Sequence, residues 1–262
     1  MFFPILTPPS RVFLKASGQV SPLSPCGPES WEYRDLKVFC SPVENRLDVS
    51  VEASATEPEA VQLRWDFDIR GHYLFLNDHW ERGYGDLQWS VMQPERVYPW
   101  YFMAFDGERA HGYGVRTLPN AMAFWLADSK GVSLWLDLRC GGAGVRLKGR
   151  HLDAVSIVVR EGLPGESPFA AAKAFCRTMA VLPARQHPVV YGGNNWYCDY
   201  GESSEGGILE QAKIMTRLAG QNQNRPYMVV DDGWQICHAH SCNGGPWCYG
   251  NYGFPHLGEL PG

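Results

Sequence analysis

Two adjacent carboxylates, Asp231 and Asp232, directly follow the short run YMVV at 227–230, and a glycine and Trp234 come next. The run is apolar and partly β-branched, a pattern typical of a parallel strand that is buried on both faces. Side chains at the carboxyl end of such a strand lie where barrels and open α/β sheets bind their ligands. We therefore expect a buried strand here, with a ligand site at its end.

A carboxylate pair suggests the acid and the nucleophile of a glycosidase, but the spacing of these two aspartates argues against that role. Such groups lie ~5 to 9.5 Å apart on opposite sides of the scissile bond, whereas Asp231 and Asp232 are neighbours on one strand. Both can instead turn into one pocket and accept hydrogen bonds from adjacent sugar hydroxyls. The alternative for either aspartate is to cap the following turn or to pair with an arginine.

A strand, a helix and a second strand must position this pocket. The first strand is the apolar run 189–191, and Ser203 or Ser204 can cap the helix that follows. A helix between two such strands predicts a right-handed β-α-β unit with parallel strands. The helix positions that must lie on this sheet recur at three- and four-residue intervals and are Ile208, Leu209, Ala212, Met215, Leu218 and Ala219.

The first strand ends in a polar segment that would lie beside Asp231. Trp196 can form a wall of the same pocket with its indole, or it can pack between domains. Asn194 and Asn195 can add amide hydrogen bonds or merely tolerate a tight turn. The preceding glycines at 192–193 have neither the lysine nor the spacing of a phosphate-binding loop, so no nucleotide motif is present.

The region 12–159 alternates apolar and polar residues in short runs separated by turn residues. The clearest run is QLRWDFDIR at 62–70, for which we expect one buried and one water-exposed face. Many short strands of this kind predict an antiparallel β-sandwich over 1–165. The other runs are 47–53, 121–126, 132–138 and 154–159.

The periodicity changes after the predicted sandwich. Ser167 and Pro168 are a favourable N-cap and first helical residue, and the alanine-rich run after them predicts a helix that ends near Ala180. The segment 181–188 carries two prolines and is expected to be an extended linker. We place the helix and linker at 166–187 and an α/β domain at 188–262.

The composition is that of a globular protein, with 45% hydrophobic and 19% charged residues. The net charge of −5 and the pI near 5.9 disfavour nucleic acid and anionic membranes as partners. There is no basic leader and no apolar run of ~18 residues, so we expect a soluble, cytoplasmic protein. We also expect no cofactor. The ten tryptophans can fill a core or stack on sugar rings.

The eight cysteines are better explained as free thiols than as a disulfide framework in a chain without an export signal. One cluster, CHAHSC at 237–242 with Cys248 beyond, contains metal-ligating residue types. Paired C-x2-C hooks are absent, however, and ligands this close in sequence would need a contorted loop. We expect no metal site.

The motifs around the predicted pocket resemble those of the melibiase-type α-galactosidases, glycoside hydrolase family 36. The family opens its barrel with Gly-x-Asn-x-Trp, matched at 192–196, and ends the second strand with Asp-Asp-Gly-Trp, matched at 231–234. The segments 244–247 and 250–255 resemble the loop before the second barrel helix. Upstream, the segment 80–89 resembles part of the large β-sandwich that precedes the barrel in this family.

The resemblance implies retaining hydrolysis of terminal α-galactosides in a (β/α)8 barrel. Asp231 and Asp232 would hold the 4- and 6-hydroxyls of galactose, Trp196 would pack on its apolar face, and Trp234 belongs to the same substrate site. Gly193 stands where relatives often carry tryptophan, which would widen the pocket. The family takes its two catalytic aspartates from the fourth and sixth strands, and no residue here matches either. We therefore expect an amino-terminal portion that is inactive alone.

Two further functions stay open at the level of the sequence. A non-catalytic carbohydrate-binding protein would keep the sugar site, and a strand edge at 227–230 would then need cover from a partner chain or a second copy of this one. Within the enzyme class, a galactosyl transferase or an enzyme for N-acetylgalactosamine would share the same motifs.

Overall fold

The structure is a computed structural model that describes residues 2–80, 87–139, 142–182, 188–199 and 204–231. The chain forms two compact units, the first built on Met1–Ala184 and the second on Arg185–His256. The predicted linker at 181–188 spans this division, and its residues 183–187 lie outside the described residues.

The first unit is rich in strands and carries one helix on its described residues. In chain order its strands are β1 (Arg11–Ala16), β2 (Gln19–Pro22), β3 (Ser24–Gly27), β4 (Ser30–Tyr33), β5 (Leu36–Val43), β6 (Arg46–Ala53), β7 (Ala60–Asp66), β8 (Leu74–Asn77), β9 (Ser90–Val91), β10 (Tyr98–Pro99), β11 (Tyr101–Phe105), β12 (Ala110–Val115), β13 (Met122–Asp128), β14 (Gly131–Asp137) and β15 (His151–Arg160). Helix α1 (Pro168–Met179) follows them. The second unit contains β16 (Gly192–Asn194), α2 (Trp196–Asp199), α3 (Glu205–Ala219) and β17 (Tyr227–Val229).

The strands of the first unit pair in two antiparallel sheets. Within the described residues, six strands pair in the order β10-β13-β14-β7-β1-β2, and nine pair in the order β3-β4-β5-β6-β15-β12-β11-β8-β9. Alternate residues of both sheets enter one apolar core, as Leu47, Val49 and Val51 do from β6 and Leu63 and Trp65 from β7. The predicted antiparallel β-sandwich is therefore confirmed, since each sheet buries one face against the other.

The predicted exposure of β7 is wrong, because both of its faces are buried. Gln62 and Arg64, expected in water, are 1% and 3% exposed. Arg64 donates to both carboxylate oxygens of Asp128 at 2.8 Å, and the Gln62 amide donates to the Ser133 hydroxyl at 3.1 Å. Partners on strands β13 and β14 thus pair with the Arg64 guanidinium and with the Gln62 amide N–H, which lowers the cost of burying this face.

The pKa of Asp128, the carboxylate that pairs with Arg64, is lowered. Burial is the largest influence and would raise the pKa of Asp128, but the hydrogen bonds and charge of Arg64 together with the backbone N–H of Lys130 hold this pKa below its ordinary value. Arg64 also donates to Asp66 at 3.1 Å, so one guanidinium joins a carboxylate on its own strand to a carboxylate on β13, which lies beyond β14 in the sheet. β7 itself ends at Asp66, short of the predicted limit at 70.

Helix α1 is confirmed, with Ser167 as its N-cap and Ala180 as its C-cap. The helix packs on β12 and β15 of the nine-stranded sheet rather than standing apart in a linker. Phe175 is fully buried there, and a Cβ atom at Gly112 would lie only 2.3 Å from its ring. The glycine on β12 is therefore what lets the phenylalanine reach the sheet.

Candidate functional site

The second unit has the predicted order of strand, helix and strand. Strands β16 and β17 are parallel, with Gly192 opposite Tyr227 and Asn194 opposite Val229. The predicted limits of the first strand, 189–191, are wrong because β16 begins at Gly192. Tyr227 does donate its backbone N–H to the Tyr191 carbonyl at 2.9 Å, so the pairing starts just before the assigned strand. The β-α-β arrangement itself is confirmed.

Helix α3 begins after Ser204, whose hydroxyl accepts the backbone N–H of Gly207 at 3.2 Å. Two of the six positions predicted for the apolar face are wrong, because Leu209 and Leu218 are exposed. The half-buried apolar positions of α3 are Ile208, Ala212, Met215 and Ala219, and the helix contacts both strands of the sheet. The stripe that faces the sheet is therefore narrower than the sequence periodicity indicated.

Gly193 faces this helix, which corrects the expectation that its missing side chain widens the ligand pocket. A Cβ atom at this position would lie 2.9 Å from the sulfur of Met215. The glycine thus allows α3 to approach β16 closely, and a larger residue would press on the helix.

The predicted burial of the second strand on both faces is also wrong. Tyr227 is 60% exposed, and Val229 and Val230 are each more than two-fifths exposed. The physical reason is the number of layers: among the described residues, β17 pairs with β16 alone and only α3 packs on the pair. An apolar strand in such a small assembly cannot be covered on both faces.

The carboxyl ends of β16 and β17 are joined by side-chain hydrogen bonds. The Asn194 amide donates to the Asp231 carboxylate at 2.6 Å, and the backbone N–H of Asp231 donates to the Asn195 side-chain oxygen at 2.8 Å. Asn195 is fully buried and its amide also donates to Asp199 at 3.0 Å. Two consecutive asparagines therefore fix the position and orientation of the Asp231 carboxylate.

Trp196 lies at the same end of the sheet, in the first turn of α2. Its backbone N–H donates to the Asn194 side-chain oxygen at 2.7 Å, and its side chain is half-buried. Asn194 therefore contacts both Trp196 and Asp231, two of the residues that the sequence assigned to one pocket. A half-buried carboxylate can accept hydrogen bonds from hydroxyl groups, and an indole at the same end of the sheet can offer an apolar face.

The other two predicted site residues, Asp232 and Trp234, lie outside the described residues, as does the cysteine and histidine cluster at 237–248. The described cysteines, Cys26, Cys40, Cys176 and Cys198, are free thiols. The described part of the chain contains no group of three or more side chains placed to hold a metal ion. None of its helices is both long enough and apolar enough to cross a membrane.

For Asn195 the sequence left open an amide hydrogen-bonding role and a tight turn, and the structure shows the hydrogen-bonding role. Its buried amide bridges β17 and α2, so it positions the site without being a candidate ligand itself. The available signal was the doublet of asparagines directly after a strand.

Comparison of the chain with protein-family profiles and with curated proteins finds no match. A function for this site must therefore be argued from its motifs and its geometry.

Proposed function

We propose that this chain carries the sugar-binding part of an α-galactosidase-like glycoside hydrolase, with terminal α-galactosides as the substrate class. The observation that carries the proposal is the hydrogen bond between Asn194 and Asp231 at the carboxyl ends of adjacent parallel strands. Barrels and open α/β sheets bind ligands at that edge. A (β/α)8 barrel beginning at β16 is the architecture that fits this proposal.

The described residues have definite roles in such a site. Asp231 accepts hydrogen bonds from sugar hydroxyls, and Asn194 keeps its carboxylate in place. The charged acceptor makes each such bond worth ~1.5 to 3 kcal/mol. Trp196 packs on the apolar face of the ring. Asp232 and Trp234 are assigned to the same site because they belong to the Asp-Asp-Gly-Trp motif at 231–234.

The proposed role is binding, because no residue of this chain matches the catalytic aspartates of the family. Retaining hydrolysis requires one carboxylate that attacks the anomeric carbon and a second that protonates the departing oxygen, and the pair lies ~5 Å apart across the bond. Asp231 is held by asparagine amides at the end of β17. Its place in the mechanism is to orient the substrate for that chemistry.

Calorimetric titration of the full chain tests the proposal, with galactose as the ligand and glucose as its epimer at the 4-hydroxyl. We expect galactose to bind at millimolar concentration and Asp231→Asn to weaken it by about tenfold or more, since a charged hydrogen bond is lost. The matched control is Glu210→Gln on α3, which neutralises an exposed carboxylate that pairs with Lys213.

Equal losses in the two variants, or no binding of galactose, would overturn the proposal. Equal affinity for the two sugars would leave a carbohydrate site but remove the preference for galactose. Release of an aryl group from an aryl α-galactoside by the purified chain would contradict its assignment as the binding part alone.

A further inference from the structure

A second cavity lies in the sandwich, entirely among described residues. It has a volume of about 330 Å³ and is lined from one sheet by the β1–β2 hairpin and from the other by Tyr33, Arg34 and the segment 55–57. Leu14 is buried beneath it. This edge cleft, as we name it, has the size of a small-molecule site, near the lower end of the usual range of ~300 to 1,000 Å³.

One wall of the edge cleft is fixed by Asp35. Its carboxylate accepts the backbone N–H groups of Ser54, Ala55 and Thr56 at 2.9, 2.6 and 3.0 Å, as well as the hydroxyls of Ser54 and Thr56. The Thr56 hydroxyl and these backbone groups hold the pKa of Asp35 well below its ordinary value. A loop tied down in this way presents its side chains in one arrangement, which lowers the entropic cost of binding a ligand.

The opposite wall is fixed as well. Glu59 accepts the backbone N–H of Gly18 at 2.9 Å, and its own N–H donates to the Lys15 carbonyl at 2.8 Å. These bonds tie the tip of the β1–β2 hairpin to the chain that precedes β7.

Two residues on the rim adopt the left-handed backbone conformation that favours glycine. Ser17 has φ of 50° and Arg34 has φ of 56°. Both residues open two-residue hairpin turns, β1–β2 and β4–β5, in which the turn itself requires this conformation. The Arg34 guanidinium lies 5.1 Å from the centre of the Tyr33 ring, so its position over the cleft is defined.

The polar groups of the edge cleft match a neutral ligand with many hydroxyls. Within the described residues, no side-chain hydrogen bond of the protein uses Ser17, Gln19, Ser21 or the Tyr33 hydroxyl. Their hydroxyl and amide groups can both donate and accept, as sugar hydroxyls do. Glu57, which is ion-paired with Arg146 at 2.6 Å, and Arg34 give the rim both signs of charge.

We infer that the edge cleft is a second carbohydrate-binding site, which takes one or two rings of a neutral sugar. Gln19, Ser21 and Arg34 donate to its hydroxyls, and Tyr33 adds its phenol group. This inference goes beyond the proposed function, because it uses residues of the sandwich alone and stands whether or not Asp231 binds galactose.

Amide-resolved NMR of the full chain tests it, with melibiose, maltose and sodium sulfate as the probes. We expect the amide signals of Gly18, Gln19 and Thr56 to shift with at least one sugar at about 10 mM, a concentration that detects millimolar affinity. Gln19→Ala, at an exposed position, is expected to weaken binding at least about threefold, since one neutral hydrogen bond is lost. Asp231→Asn should leave these shifts unchanged.

Arg34→Gly provides the sharper variant. Glycine accepts the left-handed backbone without strain, so the melting temperature should not fall, while sugar binding should drop about tenfold with loss of the guanidinium. A lower melting temperature with intact binding would overturn the role of Arg34.

The other outcomes are equally decisive. Absence of shifts at the edge cleft with either sugar overturns the inference. Shifts confined to 192–199 and 227–231 overturn it as well but support the proposed function. Shifts produced by sulfate and not by sugar identify an anion site and also overturn it.

Discussion

Helices α1 and α3 have similar N-termini but differ in how much of their surface the rest of the protein buries. Each has a serine N-cap whose hydroxyl accepts a backbone N–H at 3.2 Å, and each carries an apolar stripe. Helix α1 buries Ala171, Phe175 and Met179 on the nine-stranded sheet, whereas α3 has no buried residue. Similar local signals therefore lead to a packed helix in one unit and a largely exposed helix in the other.

The charged groups of the two units show the same difference. Arg64 is 3% exposed and is held by two carboxylates, while the ion pair of Lys213 with Glu210 on α3 is two-thirds exposed on both sides. Water screens the second pair, which therefore contributes little to stability, whereas the guanidinium of the first is buried and its carboxylates are only partly exposed. Burial therefore distinguishes these two ion pairs.

The largest effect is expected when one apolar side chain is truncated on each helix. We expect Phe175→Ala to lower the free energy of unfolding by ~3 to 5 kcal/mol, because it leaves a cavity against β12. Leu218→Ala on α3, at a position that is 82% exposed, should change it by less than ~0.5 kcal/mol. Urea unfolding followed by tryptophan fluorescence measures both, and equal losses would break the comparison.

A smaller effect is expected when one ion pair is removed from each unit. Arg64→Ala leaves Asp128 without its main partner and should cost about 3 kcal/mol, at the low end for buried pairs because Asp128 is partly exposed. Lys213→Ala should cost ~0.5 kcal/mol or less.

A double-mutant cycle of Arg64 with Asp128, read from urea midpoints, isolates the pair. A coupling energy no larger than that of Lys213 with Glu210 would show that burial does not strengthen this interaction.

The smallest effect is expected when the N-cap serine of each helix is replaced. Ser167→Ala and Ser204→Ala each remove one hydrogen bond, worth ~1 kcal/mol. We expect amide hydrogen exchange to rise in the first turn of α3, where Gly206 and Gly207 already weaken the helix. The first turn of α1 should stay protected because the helix is anchored on the sheet. Faster exchange in α1 than in α3 would contradict this expectation.

Much of the fold could be predicted from the sequence because its signals are local. The alternation at 47–53 became β6, the serine and proline at 167–168 became the start of α1, and the order of strand, helix and strand after 188 is the one observed. Each of these depends on residues a few positions apart, where periodicity and capping act. Strand limits were less well predicted, because β16 is set by its pairing with β17 and not by its own apolar content.

The candidate site was predicted in part. The motif gave Asp231 and Trp196, and both lie at the same end of the sheet. The contact that fixes the carboxylate, from Asn194 to Asp231, joins residues 37 positions apart, and no local pattern encodes it. The edge cleft depends in the same way on two sheets whose contributing segments are separated along the chain.

The sequence by itself determined where strands and helices form, where helices begin, and which chemical groups follow the parallel strands. Only the tertiary structure decided which faces are buried. Gln62 and Arg64 alternate with apolar residues just as water-exposed positions do, yet both are buried and hydrogen-bond to Ser133 and Asp128, on strands far along the chain. The continuous apolar run of β17 predicts burial on both faces, which two strands and one helix do not supply. Periodicity is a property of one segment, whereas burial requires partners that only the folded chain brings together.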